Sequence, residues 1–416
     1  MDLIVYNAML NGDRVTIYVH DGVIQKIEPC GELPSGAFDA KGKKVFASFL
    51  DVHTHTREPG YTHKETIATA LKAAVHGGFS GIMCMANTKP VNDSVLVTRY
   101  MLEKAKEAYP HGPYLYPIGA TTIGLEGKEM SDMKALRKAG CVAFSNDGSA
   151  VNSSAMLRNC MEYAYGVGAL IIEHCEDPTF ERIRPINEGV MSSLLGVQGD
   201  PDISESIHVA RAILLSDYLQ IPIHLAHISS HRSVQLIEDA KKRGSLITAE
   251  TCPHYLFLDD TITEGYNTLA KVNPPLRTAK DREALRDAIR SGVIDMLATD
   301  HAPHTMYEKE QPLDLAPFGI SGLDTALSLT WELVKEGVIE ESDIYRLWCV
   351  APHSRFNLPY TTFEEGSPAD FFLFDPDITW ELTPENMHSL GKNTPFIGRT
   401  MHGKVTAHWI QGVQVI

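Results

Sequence analysis

The chain has 416 residues, 44% of them hydrophobic and 22% charged, with a formal net charge of −16. That length accommodates one barrel-sized unit plus a smaller one, and the composition is neither disordered nor fibrous. No basic block exists to meet a phosphate backbone, so nucleic acid is not an expected partner, and no run of 18 apolar residues can cross a membrane.

The opening, MDLIVYNAMLNGD, lacks a positive segment followed by a long apolar core, and is not read as a signal peptide. Residues 1–46 read as short strands and turns. LIVYNAML, RVTIYVHDG and VIQKIEP are rich in β-branched residues and broken by Gly, Asp and Pro. A lone sheet of this size would struggle to bury a core. The middle of the chain then alternates short apolar runs with helical segments. The runs are FASFLDV, GFSGIMCMAN, GPYLYPIGA, CVAFSND, ALIIEHCE, PIHLAHIS, SLITAETC and VIDMLATD. Strands apolar on both faces and spaced by helices form a parallel sheet covered by helices, and eight such units close into a (β/α)8 barrel. No G-x-G-x-x-G or Walker loop follows any of them, which argues against nucleotide folds. MYEKEQPLDLAPFG, residues 306–319, lacks periodicity and is expected as a loop over the barrel mouth, either a lid or plain surface. The end returns to strands in ADFFLFDP, KVTAHWIQG and VQVI. The expected organisation is therefore a small β-sandwich domain shared by both termini, residues 1–46 plus 363–416, and a catalytic barrel over 47–362. The seven scattered cysteines form no CxxC pair, which fits a reducing cytoplasm.

A barrel carries its chemistry at the C-terminal ends of its strands. The first run ends in His53-Thr-His55-Thr-Arg57, and two histidines two apart on extended chain face one side. Alone, HxH is weak. It gains weight because the fourth run ends at Asp147, the fifth at His174, the sixth at His227 and the eighth at Asp300. Imidazoles with carboxylates suit zinc, and also admit iron, manganese or cobalt. One ion needs about three protein ligands, so this set favours two ions. His53, His55 and Asp300 would hold one, His174 and His227 the other, and Asp147 would bridge. The competing reading is one ion, with the remaining histidines as acid–base groups. Metal-activated water attacking a polarised carbonyl fits hydrolysis of an amide, with Asp300 as proton shuttle. Paired carboxylates of a glycosidase and the G-x-S-x-G elbow of a serine hydrolase find no support. Arg57 suits a substrate carboxylate, the alternative being a buried ion pair with Glu58. Asn87 and Asn273 can read amides, or merely cap turns, and His304 can reach substrate or orient Asp300.

The ordered set DVHTHTREPG, MANTKP, NDGSAV, EHCED, HISS, ETCPHYL, KVNPPLR and ATDHAPH resembles the dihydroorotases of the amidohydrolase superfamily, in their bacterial type I form. The resemblance spans essentially the whole chain. It implies reversible interconversion of dihydroorotate and N-carbamoyl-L-aspartate in pyrimidine synthesis. It implies two Zn2+ on His53, His55, His174, His227 and Asp300, bridged by Asp147, with Asp300 catalytic. Substrate contacts would come from His55, Arg57, Asn87, Asn273, His304, Phe318 and Gly319. Arg57, Asn87 and His304 would take the carboxylate. Many relatives carry two aspartates where this chain has Asn146-Asp147, which fits the second being the ligand. Hydantoinases and allantoinases share the scaffold but typically bridge their metals with a carboxylated lysine. Inactive relatives that serve as structural partners usually lose ligands that this chain retains. A homodimer is a family-level expectation, and nothing in the residues marks a complex with aspartate transcarbamoylase.

Overall fold

The computed structural model describes residues 3–180 and 184–416. Eight parallel strands form one sheet in strict chain order: Phe49–Thr54, Phe79–Cys84, Tyr114–Ala120, Ala143–Ser145, Ile171–Glu173, Ile223–Leu225, Ile247–Thr251 and Met296–Leu297. Seven of the eight fall inside one of the apolar runs, and the first extends beyond FASFLDV by His53 and Thr54. The first and last meet at a parallel bridge between Thr54 and His301, and His55 N donates to His301 O at 2.8 Å. The sheet is thereby nearly closed into a barrel.

The strands are apolar throughout because they bury both faces. Phe49, Ile82, Phe144, Ile171 and Ile223 pack into the large core under the surrounding helices. Their chain neighbours Leu50, Met83, Ala143 and Ile172, together with Met296 of the eighth strand, fill the barrel interior instead. That alternation is the period of two of extended chain. The helices follow capping rules. Ile67–His76, for example, begins at Thr66, whose hydroxyl accepts from Thr69 N, and ends at Gly77.

Both chain ends build the second β unit, one mixed sheet. Lys44–Ala47 is its hinge, pairing parallel to Leu3–Leu10 and antiparallel to Phe371–Glu381. Thr400–Ile410 and Val413–Gln414 extend it on one side, Asp13–His20 and Val23–Pro29 on the other. Val5, Ile17, Ile24, Phe371 and Trp409 form its own core. Phe372 and Phe374, on the opposite face, join the barrel's large core. One strand thus serves both units by its pleat alone.

Residues 306–319 open with a short helix, Met306–Lys309, capped by Thr305, and continue as irregular chain. The segment ends at Phe318 and Gly319, which reach the barrel mouth.

Candidate metal centre and active site

A cavity of about 180 Å³ opens at the strand ends. Of the expected site residues, His55, Arg57, Asn87, Asp147, His174, His227, Asn273, Asp300, Phe318 and Gly319 line it. His53 is wholly buried against Asp147, and His304 stands against Arg57. Hollows of about 720 and 700 Å³ lie elsewhere. Neither contains a metal-ligand cluster among the described residues.

The first strand shifts register between Asp51 and Thr54, where His53 sits. Such a shift re-aims side chains beside a site. Asp51 fixes the place by accepting from Thr299 N at 3.0 Å and His53 N at 3.2 Å, which ties the first strand to the eighth. Arg57, His227 and Asp300 all hold left-handed backbone, with φ of 58°, 35° and 45°. Non-glycine residues pay about 1–3 kcal/mol each for that conformation and keep it where their surroundings enforce it.

Two ligand clusters share Asp147: His53, His55 and Asp147, and Asp147, His174 and His227. Asp147 Oδ1 lies 3.3 Å from His53 Nε2, 3.2 Å from His174 Nδ1 and 3.5 Å from His227 Nε2, while its Oδ2 lies 3.5 Å from His55 Nε2. Asp300 Oδ1 joins the first cluster, 3.1 Å from His55 Nε2 and 3.6 Å from His53 Nε2. This is a binuclear metal-binding site with Asp147 as the bridge. Its polar atoms fit cations. Nε2 of His53 is buried without a hydrogen-bond partner. The facing nitrogens of His174 and His227 are 2.8 Å apart with an aspartate oxygen beside both.

Three of the histidines are oriented by partners on their far nitrogens. His53 Nδ1 donates to Glu250 Oε1 at 2.8 Å, His55 Nδ1 to Asn87 Oδ1 at 2.8 Å, and His174 Nε2 to Glu176 Oε2 at 2.8 Å. Each bond fixes one ring proton on the far nitrogen, so that the nitrogen facing the cluster can offer a lone pair once a cation displaces its proton. Glu250 is held in turn by His224 Nε2 at 2.9 Å, and Glu176 by Asn273 Nδ2 at 3.1 Å. Glu250, His224 and Glu176 were not anticipated from sequence. For Glu250 the available signal was a carboxylate inside the otherwise uncharged run SLITAETC, since a buried charge must be paired. Burial disfavours a charged His53 or His174, but the carboxylates outweigh it. His53 rises well above its ordinary value, and His174 is pushed up to about 10. Asp147 stays ionised because the surrounding imidazoles overcome its desolvation.

The opposite wall is cationic. Arg57 Nε donates to Pro303 O at 3.1 Å, and its terminal nitrogen stands 3.1 Å from His304 Nε2. His304 Nδ1 accepts from Lys64 at 3.3 Å, and Nε2 donates to Phe318 O at 2.9 Å. With its proton on Nε2, His304 has no lone pair there for Arg57. A guanidinium donor is thus left to face an anion. Burial, together with Arg57, Lys64 and Lys309, pushes the His304 pKa down to about 2, so the ring is neutral. Glu58 is not Arg57's partner, for it accepts from Ile67 N and Tyr100 Oη. Asn146 faces away from the ligands and exchanges hydrogen bonds with Thr122 at 3.0 and 2.7 Å. Cys175 and Cys252 are buried and belong to the core.

A parallel barrel with paired histidine–aspartate clusters at its mouth defines a metal-dependent hydrolase of the amidohydrolase superfamily. The family described as Dihydro-orotase-like matches residues 42–233. A dihydroorotase of Syntrophus aciditrophicus is 42% identical over 402 residues, covering 96% of this chain and 94% of the relative, and one of Geobacter metallireducens is 40% identical over 99% of both. The chain belongs to the dihydroorotase family, and its reaction is a metal-dependent cyclic amidohydrolase reaction. Among solved structures, the L-hydantoinase (dihydropyrimidinase) of Arthrobacter aurescens superposes with a TM-score of 0.87 at 25% identity, over 100% of this chain and 96% of that one. A D-hydantoinase at 22% identity and TM-score 0.81 shows the same fold.

Proposed function

We propose that this protein interconverts dihydroorotate and N-carbamoyl-L-aspartate, using two zinc ions. The observation that carries this reading is the juxtaposition of the Arg57 guanidinium, whose Nε is held by Pro303 O while its terminal nitrogen faces the cavity side of His304, with the binuclear ligand set. It calls for a ring amide that also bears a carboxylate. Named relatives that share about two-fifths of the sequence support the same substrate. The bridge at the fourth strand end is Asp147 rather than a lysine, which weighs against a hydantoinase reading.

Zinc would be held by His53, His55 and Asp300 on one side and His174 and His227 on the other, with Asp147 between. Bound there, zinc supplies a nucleophile near neutral pH and polarises the carbonyl to be attacked. The remaining roles fall to the chain. Asp300 takes the proton of the attacking water and delivers it to the leaving ring nitrogen, and in ring closure it removes the ureido proton. Arg57, Asn87 and His304 hold the substrate carboxylate. Asn273, fixed by Glu176, reads the ring amide, and Phe318 and Gly319 close the far wall. His55 both ligates and borders the substrate.

The proposed domains are 1–46 with 363–416 and 47–362. A cytoplasmic location is supported by seven free cysteines, six of them buried. No helix among the described residues is long and apolar enough to cross a membrane. The test is a metal-supplied assay on dihydroorotate, hydantoin and allantoin side by side. Dihydroorotate should be turned over at least ~10²-fold more efficiently, since a site built around a polar group rejects analogues that lack it. Equal or better turnover of hydantoin or allantoin would overturn the assignment.

A further inference from the structure

Two lysines outside the chemistry above are buried beside it. Lys271 and Lys309 are each 1% exposed, whereas lysine is almost never fully buried unless paired. Neither forms an ion pair with a carboxylate among the described residues. Both ammonium groups are committed to backbone carbonyls instead. Lys309 Nζ donates to Lys271 O at 3.2 Å, Pro317 O at 2.9 Å and Gly319 O at 3.1 Å. Lys271 Nζ donates to Leu313 O at 2.6 Å and Asp314 O at 3.2 Å, and sits 4.4 Å over the Phe318 ring. Gly319 N closes the arrangement on Lys271 O at 2.9 Å. Three carbonyls around one nitrogen match the three N–H groups of an ammonium, and a neutral amine has only two.

All but one of these carbonyls belong to residues 313–319, the irregular stretch that brings Phe318 and Gly319 to the cavity. Gly319 has φ 141°, and a Cβ there would lie 2.5 Å from Ala302 O. The approach is therefore tight. Phe318 O in turn receives the Nε2 proton of His304, and that bond leaves the terminal nitrogen of Arg57 without an acceptor on His304.

We propose that Lys271 and Lys309 are positioning residues for the anionic group of the substrate. By pinning the carbonyls of 313–319 they set Phe318 O, and through it the tautomer of His304 and the availability of Arg57. Their charges, unmatched by any carboxylate partner, also make the wall behind Gly319 positive. The inference rests on the reading of the substrate as a carboxylate-bearing ring. Burial and the neighbouring cations already press on these groups. Lys309 is brought down to about 7 by burial, Lys271 and Arg57, and Lys271 to about 8 by burial against a smaller opposing pull from Asp314. An arriving anion relieves that repulsion.

The test uses Lys309→Met and Lys271→Met in the full chain, with metal content matched to the parent. Amide exchange over 313–319 should quicken in the substrate-free protein. KM for dihydroorotate should rise at least ~10-fold while kcat changes less than ~3-fold, the pattern of lost binding rather than lost chemistry. Quickened exchange with unchanged KM would overturn the proposal, as would unchanged exchange. Failure of both variants to fold would also overturn it, by assigning the lysines to the fold alone. Activity of the parent on dihydroorotate is the control. Its absence refutes the substrate assignment, whereas its presence with an unaltered KM in the variants refutes the clamp.

Discussion

His174 and His304 stand at the same barrel mouth with nearly the same burial, 3% and 5% exposed, and are driven in opposite directions. Burial disfavours a proton on both. Around His174 the carboxylates of Asp147 and Glu176 overcome it, and the pKa climbs to about 10. Around His304 burial is reinforced by Arg57, Lys64 and Lys309, and the value falls to about 2. Neighbours, not depth, decide the outcome. The mouth is thus divided into an anionic half that lacks cations and a cationic half in which Glu308 pairs with Lys64 at 2.8 Å but no carboxylate is hydrogen-bonded to Arg57. On the function proposed above, metal ions would complete the first and a substrate carboxylate the second.

That division can be broken from either side. The largest effect is expected from Asp147→Ala, which removes the oxygen pair shared by both clusters. Elemental analysis should find bound metal reduced by half or more, and activity should fall on the order of 10³-fold or further as metal chemistry is lost. Unchanged metal content would contradict the bridge. Asp300→Ala should cost at least ~10²-fold in turnover with metal content held equal, the scale of a missing proton carrier. Near-parental turnover would reject that role. On the cationic side, Arg57→Ala should lower kcat/KM for dihydroorotate by ~10- to 100-fold, the value of a charge-assisted hydrogen bond. A ring amide without a carboxylate should be far less affected, and equal losses on both would remove the distinction between the halves. The smallest change is expected from Glu250→Gln, which leaves His53 in place but weakens the acceptor on its far nitrogen. Metal affinity, read by competition with a chelator, should drop ~10-fold. Parental affinity would show that Glu250 serves only the core.

Much of this was legible in the sequence, for identifiable reasons. Every barrel strand coincides with an apolar run, the first overrunning its own only by His53 and Thr54, because strands buried on both faces cannot hide among polar residues. The ligands stood at the run ends, where a barrel exposes side chains to its mouth. Terminal strands at both ends of the chain could be paired in advance because neither group alone could bury a core. What sequence did not reveal depends on partners distant in the chain. Glu250 becomes the support of His53 only when the seventh strand is placed near the first. Lys271 and Lys309 resemble ordinary surface lysines until the carbonyls they satisfy are in position. Phe318 and Gly319 carry no periodicity and were placed through family resemblance alone. Arg57 left two readings open, and the bonds of Glu58 to Ile67 and Tyr100 exclude the ion pair between them.

The hinge of the terminal sheet has a consequence for how the protein is made. Lys44–Ala47 takes its antiparallel neighbour from Phe371–Phe374, near the other end of the chain. On the ribosome, the early strands emerge long before their partners and wait with an unsatisfied edge, an invitation to mispairing. The barrel can assemble progressively from adjacent units, but this sheet is completed only after Phe371–Phe374 has been made. A nascent chain arrested before residue 371 should therefore hold its first strands exposed to proteases and chaperones.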